Sequence, residues 1–163
     1  MEKVYGSPKR QDGLYKVGRN KYELIYGFGK DREEDATGWN YRERFDHRPT
    51  LDEIRATIIA QIDADTEARI LTQFSWNGKP VWLSKENQNN YKAAYDLAFQ
   101  TDGATLPIKF KLGEDEDCNA IYHTFTKIEP FADFIIKAFS FINTQLNEGW
   151  KEKDSIDYSK FDL

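Results

Sequence analysis

His47 and His123 are the two imidazoles of this chain and Cys118 is its one thiol, so acid–base and nucleophilic chemistry has few residues to draw on. Neither histidine lies near a nucleophile motif such as Gly-x-Ser-x-Gly. Cys118 and His123 are a candidate thiolate–imidazole pair, if the fold brings them together in space. Glu114, Asp115, Glu116 and Asp117 immediately precede the sulfur, however, and disfavour an anion there. His123 reads instead as a strand residue satisfied by a hydrogen bond. The same loop, Gly113 to Asn119, offers oxygen ligands for calcium, with acceptors at Asp115, Asp117 and Asn119. It then fails as an EF-hand: Ala120 stands where glycine must turn the chain, and Thr126 where the bidentate glutamate belongs. A solvated hairpin tip is expected, with no metal and no other cofactor. Asp63-Ala64-Asp65-Thr66-Glu67 fails in the same way. Gly27-Phe28-Gly29-Lys30 is not a phosphate loop, because Leu24 and Asp31 occupy positions that need glycine and Ser or Thr. The 28 Asp and Glu always provide some carboxylate pair, so glycoside hydrolysis is not selectively indicated.

Aromatic residues are the remaining chemistry: 11 Phe, 9 Tyr and 4 Trp, or 15% of the chain. Most must form the core. Trp39, Tyr41, Trp76 and Trp82 fall in or beside expected loops and hairpins, where flat rings stack on a sugar or anchor a protein partner. The hairpin register around Asn77-Gly78 places Phe74, Trp76, Val81 and Leu83 on one face and Trp82 on the other. Trp39, Tyr41 and Trp82 are therefore the expected partner-binding residues, forming an aromatic patch ringed by charge. No catalytic residue is expected.

The elements that position these rings read as α+β, with hairpins and helices segregated and no βαβ alternation. Two or three β-hairpins and three helices packed around a small antiparallel sheet are expected. Leu14–Val17 and Tyr22–Tyr26 are β-prone runs joined by Gly18-Arg19-Asn20-Lys21. Gly27 to Thr50 is polar and reads as an ordered loop pinned by Trp39, Tyr41 and Phe45. Thr50 and Glu53 form a capping box. Behind them Leu51, Ile54, Ile58, Ile62 and Ile70 should face the core, with an interruption or recapping at Asp63-Ala64-Asp65-Thr66. Ser84 caps a second helix bearing Tyr91, Ala94, Tyr95, Ala98 and Phe99, which Asp102-Gly103 ends. Leu106, Ile108, Phe110 and Leu112 alternate as a half-buried strand, with Pro107 arguing for an edge. Ile121–Phe125 is its partner strand. Thr126 to Glu129 then opens a last helix with Phe131, Phe134, Ile135, Ala138, Ile142 and Leu146 on one stripe, up to Gly149. The expected organisation is a hairpin and aromatic loop over residues 1–49, an α+β domain over 50–149, and a charged tail over 150–163 that Trp150, Ile156, Tyr158 and Phe161 can dock.

At 163 residues the chain is one ordinary domain in size and can bury a core without disulfides. One cysteine rules out an internal disulfide and a Cys-rich zinc module. Residues 1–50 carry 11 Lys and Arg against 9 Asp and Glu, and the rest 12 against 19, which gives the overall −5. A basic arm with Lys9, Arg10 and Arg19 is one possible contact for phosphates. On an acidic chain with so short a stripe, solvated lysines on a hairpin are the better reading, and nucleic acid is not the expected partner. The first residues hold no apolar signal core and no run reaches membrane-spanning length, so a cytoplasm-like compartment and no membrane are expected. No heptads run long enough to encode a trimer, and the sequence leaves the oligomeric state open.

From Thr50 onward the order of elements, with Phe74-Ser75-Trp76-Asn77-Gly78, Leu106-Pro107-Ile108-Lys109-Phe110-Lys111 and Tyr122-His123-Thr124-Phe125-Thr126, resembles a domain of unknown function. That domain stands at the C-terminal ends of phage and prophage tail-fibre and tail-fibre-assembly proteins. The stretches Leu146-Asn147-Glu148-Gly149-Trp150-Lys151 and Gly38–His47 look like versions from phages of gut Bacteroides-type bacteria. The likeness covers about 110 of the 163 residues, lacks the long repetitive fibre shaft, and brings no established active site, so it assigns no residue a role. It implies a non-enzymatic phage or prophage protein. Such a protein binds another phage structural protein (a tail fibre or other virion component) as a virion fitting or a fibre-assembly factor. It would be made in the host bacterial cytoplasm and incorporated into the virion in the first case. The other readings of the same residues are a module that binds host surface polysaccharide and a small hydrolase with a carboxylate pair of raised pKa.

Overall fold

The computed structural model describes residues 1–162 and resolves into two compact units, Met1–Asp63 with the chain from Glu152 onward, and Ala64–Lys151. The fold class is α+β: the described residues form eight strands, in three antiparallel sheets, and three helices.

The first unit holds a four-stranded sheet in the order β1 (Glu2–Ser7), β4 (Gly38–Phe45), β3 (Lys21–Gly29), β2 (Gly13–Gly18). Pairing Leu14 with Leu24, Tyr22 with Phe45 and Tyr26 with Tyr41 puts these side chains on one face, because cross-strand partners share a face. Against it lie Ile54, Ile58 and Ile62 of α1 (Leu51–Thr72) and Phe161, all at most 3% exposed. The helix starts at the expected capping box. Glu53 N–H donates to Thr50 Oγ1 at 3.3 Å, and Thr50 N–H donates to Glu53 Oε2 at 2.7 Å. The segment expected as an aromatic loop instead supplies β4, the second strand in the spatial order. Two of its charges find their partner within the sheet, where Glu23 accepts from Arg42 and Arg44 at 3.2 Å each.

The second unit contains the β5 (Ser75–Trp76)–β6 (Lys79–Pro80) hairpin, α2 (Lys85–Gln100), the β7 (Ile108–Glu114)–β8 (Ala120–Phe125) ribbon and most of α3 (Ile128–Asp154). Asn77 and Gly78 take the positive φ of 50° and 73° that a two-residue hairpin turn requires. Ser84 caps α2 by accepting from Asn87 N–H at 3.1 Å. Ile70, Phe74, Trp76, Val81, Leu83, Tyr91, Leu112, Phe125, Phe131 and Phe134 make this unit's own core. Phe125 stacks on Phe131 with centroids 4.3 Å apart.

Four expectations are corrected. Helix α1 runs unbroken through Asp63-Ala64-Asp65-Thr66. Asp63 accepts from Lys153 Nζ at 2.5 Å and Thr66 is 5% exposed, so these polar residues are bound within the helix rather than ending it. Leu51 and Phe99, near helix ends, are 44% and 65% exposed and do not face a core. Helix α3 does not stop at Gly149; glycine is needed there because a Cβ would sit 2.6 Å from Thr66 Oγ1. Of the expected tail anchors Trp150 is exposed, while Phe161, in the 3₁₀ turn Tyr158–Phe161, is buried with Ile156 and Tyr158 packed beside it. The unit boundaries fall within α1 and near the end of α3.

Helix propensity alone favours Gly149→Ala by about 1 kcal/mol. The contact with Thr66 reverses the sign, so the substitution is expected to lower the thermal midpoint, and adding Thr66→Ala is expected to recover part of the loss. A stabilised Gly149→Ala protein in calorimetry overturns this account of the glycine.

Candidate functional site

The three rings expected to form one patch have three different environments. Tyr41 is 8% exposed, packed on the core face of the sheet and not available at a surface. Trp39 is half-buried beside it, ring centroids 5.0 Å apart, with Lys3 Nζ 4.0 Å above the indole. Its Nε1 is buried with no hydrogen-bond partner. A Cβ on Gly29 would come within 2.3 Å of the indole, so Trp39 fills a notch that only glycine leaves open. Strand phase explains this: Trp39 and Tyr41 alternate in step with Phe45, and the whole set faces the same way. Trp82, in the second unit, is 37% exposed on the side away from Val81 and Leu83, as the hairpin register predicts.

Trp82 has an exposed neighbour that the sequence reading passed over. Its main chain is held on both sides, the N–H donating to Leu112 O at 2.7 Å and the carbonyl accepting from Asn87 Nδ2 at 2.9 Å. It therefore runs alongside β7, whose Lys111 reaches over the indole, Nζ to centroid 5.4 Å. Lys111 pairs across the ribbon with Tyr122, which is 52% exposed and carries Lys109 Nζ 4.4 Å above its ring. Trp82, Lys111, Tyr122 and Lys109 thus form one outward face on a hydrogen-bonded ribbon whose other side is core. The signal for Tyr122 was in the sequence: it stands in antiphase to Phe125 within Ile121–Phe125.

The groups weighed for catalysis are occupied elsewhere. His123 is half-buried, edge-on to Trp76 and Phe125 with centroids at 4.9 and 4.6 Å. Lys79 Nζ donates to its Nδ1 at 3.3 Å, which leaves the proton of the neutral ring on Nε2. Burial first, and the Lys79 charge second, hold this imidazole below its ordinary pKa. His47 is exposed between Asp46 Oδ1 at 3.0 Å and Glu53 Oε1 at 3.1 Å, and those hydrogen bonds raise it. Cys118 is exposed at the tip of the β7–β8 ribbon. There Asp115 turns its carboxylate back to accept from the Asp117 and Asn119 N–H groups at 3.0 and 2.8 Å, which closes the loop and lowers its pKa. Among the described residues no group of three or more His, Cys, Asp and Glu is arranged to hold a metal. Nor is any of their helices long and apolar enough to cross a membrane. Asp46, Glu53, Asp133 and Asp157 are, like Asp115, held below the usual carboxylate range by hydrogen bonds.

The first unit has a polar cleft of about 380 Å³ lined by Arg10, Asp12, Tyr26, Glu152, Asp157 and Lys160. Its polar groups are largely paired. Tyr26 Oη donates to Glu152 Oε1 at 2.9 Å, Arg10 Nε to Asp12 Oδ2 at 2.7 Å, and Gly27 N–H to Asp12 Oδ1 at 2.8 Å. Burial, then the bond to Glu152, pushes the Tyr26 phenol well up, so it stays protonated.

No protein-family model matches the chain, and no curated protein or solved structure is significantly similar to it.

The two imidazoles are expected to titrate on opposite sides of about pH 6.5, His123 below and His47 above. His123, depressed in the folded state, contributes stability that is lost as pH falls from about 6.5 through its folded pKa, because the unfolded chain takes the proton first. His47, raised, contributes stability present below about pH 6.5 and lost as pH rises through its folded pKa. Proton NMR titration of the ring Cε1 signals, assigned with His47→Asn, measures both. Lys79→Met should move His123 upward, and no movement would mean that Lys79 does not act on the ring. In the first unit, Gly29→Ala is expected to displace Trp39, shifting its emission and lowering the melting temperature.

Proposed function

We propose that this chain is a non-enzymatic phage or prophage protein that acts by binding another phage structural protein, as a tail-fibre or virion-associated component or a fibre-assembly factor. The phage context rests on the motifs quoted above. The observation that carries the binding reading is the outward face of Trp82, Lys111, Tyr122 and Lys109. Two large rings stay exposed on a rigid ribbon, at the root of which the Trp82 main chain is pinned to Leu112 and Asn87. Rings held in this way lose little conformational freedom on binding, and residues of this kind dominate interface energetics. Trp39 and Tyr41 leave the proposal as contact residues and keep a structural role.

A host polysaccharide is the second reading. The same two rings favour it, because sugar CH groups stack on exposed Trp and Tyr faces.

Pull-down of tagged protein from phage-infected host lysate is expected to recover a fibre or other virion protein in fixed proportion. Trp82→Ala and Tyr122→Ala should each weaken that recovery at least tenfold without changing the melting temperature, whereas Trp39→Ala should lower the melting temperature. Equal recovery by the two surface variants removes this face as the contact. Recovery of no virion protein, together with saturable quenching of Trp82 fluorescence by capsular polysaccharide, replaces the proposal with the glycan reading.

A further inference from the structure

Helix α3 turns Phe131, Phe134, Ala138, Ile142, Gln145 and Gly149 inward. At 3.6 residues per turn, the opposite side carries Ile136, Ser140, Asn143, Asn147 and Trp150, with Phe139 at its margin. The solvent side of an amphipathic helix ordinarily carries charge. Here no charged residue occurs from Ala138 to Asn147, and Ile136 and Trp150 are 67% and 56% exposed. Ile136 is the most exposed large apolar side chain among the described residues.

The two exposed apolar side chains of the stripe are placed evenly about Asn143. Ile136 and Trp150 each lie seven residues from Asn143, about 10 Å along the axis to either side. A twofold contact requires exactly such self-complementarity, residue i meeting j of the other copy and j meeting i. We propose that this face binds a second copy of the chain. The two α3 helices lie antiparallel about a twofold axis at Asn143, with Ile136 of each against the partner's Trp150 and the two Asn143 amides paired on the axis. The flanking charges fit. Asp133, whose Oδ2 already accepts from Trp76 Nε1 and Lys137 Nζ, and Lys151 lie on the same flank of α3, and the antiparallel arrangement brings the Asp133 carboxylate near the partner's Lys151 at both ends. Copies with a net charge of −5 repel at long range; a charge-free seam with a cross-pair at each end is a contact that two such chains can make. Four turns of helix bury less than the roughly 1,600 Å² of a standard stable interface, so the dimer is weak, with a dissociation constant on the order of 0.1 mM. This surface shares no residue with the Trp82–Tyr122 face and does not depend on what that face binds.

Sedimentation equilibrium of the full chain from about 10 µM to 1 mM, a range set to bracket that constant, is expected to fit a monomer–dimer equilibrium. Ile136→Lys should weaken it at least tenfold with an unchanged melting temperature, because the side chain touches solvent. In a Cys118→Ser background, Asn143→Cys should form an inter-chain disulfide on mild oxidation, whereas Glu148→Cys, off the stripe, should not. A monomer throughout the range overturns the proposal. So does association that continues past the dimer, or a dimer that Ile136→Lys leaves intact and Asn143→Cys does not cross-link.

Discussion

Trp76 is 3% exposed, so its indole N–H must find a partner inside the protein. Asp133 on α3 supplies one at 2.9 Å. That bond decides which face of the β5–β6 hairpin is inward, since residues two apart share a face. With Trp76 turned to Phe125, Phe134 and His123, Phe74 follows it inward, and the turn at Asn77-Gly78 sends Val81 and Leu83 in as well. Trp82, between Val81 and Leu83, then has only the outside left. The exposure of Trp82 is thus a consequence of strand phase fixed by a neighbouring tryptophan. The carboxylate that fixes it is held ionised by Lys137 as well as by the indole.

The first unit solves a similar problem with an amide. Asn40 is fully buried between strands; its Oδ1 accepts from the Ser7 hydroxyl and its Nδ2 donates to Gly27 O at 3.2 Å. Both partners lie where the register shifts, Ser7 beyond the shift in the β1–β4 pairing and Gly27 within the one between Tyr26 and Gly29. A shift leaves main-chain groups out of the ladder, and a side-chain amide with both donor and acceptor can take their place. The bulge in β3 also creates the space over Gly29 that the Trp39 indole fills. Trp39 is therefore tied to the irregularity of the sheet, which accounts for a tryptophan that is half-covered yet leaves its N–H unpaired.

What was legible in the sequence was local. Asn77-Gly78, the Thr50–Glu53 box, the Ser84 cap and the alternation of Ile108, Phe110 and Leu112 each involve neighbours within a few residues, and each appears where expected. What was hidden depends on distant partners. The pairing of β1 with β4 joins Glu2 to Arg42, and nothing near Arg42-Glu43-Arg44 announces that Glu23 will accept from two of its three charges. Without that partner the run reads as loop. Gly149 misled for the same reason: a helix-ending residue by local rule, it is required inside α3 by Thr66, over 80 positions earlier. Of these rings, the outward phase of Trp82 was readable because a two-residue hairpin fixes its own register, whereas the burial of Tyr41 was not, because its strand had not been recognised.

The exposed apolar side chains are not forced by a shortage of polar ones. Charged residues make up 31% of the chain, and the solvent sides of α1 and α2 use them freely. Against that background the exposed large apolar side chains, Leu51 of α1 and Leu97 and Phe99 of α2 included, are local departures, and among them Trp82 and Tyr122 share one ribbon and Ile136 and Trp150 one helix. They differ in kind. On the ribbon the rings sit under lysines, whose ammonium groups partly satisfy the ring faces and can swing aside for a ligand. On α3 the stripe has neither charge nor cation over it, and its small neutral neighbours Ser140, Asn143 and Asn147 allow close approach of another helix. The first environment tolerates partners of several shapes, while the second suits an apposed helix, and the even spacing of Ile136 and Trp150 about Asn143 fits a second copy.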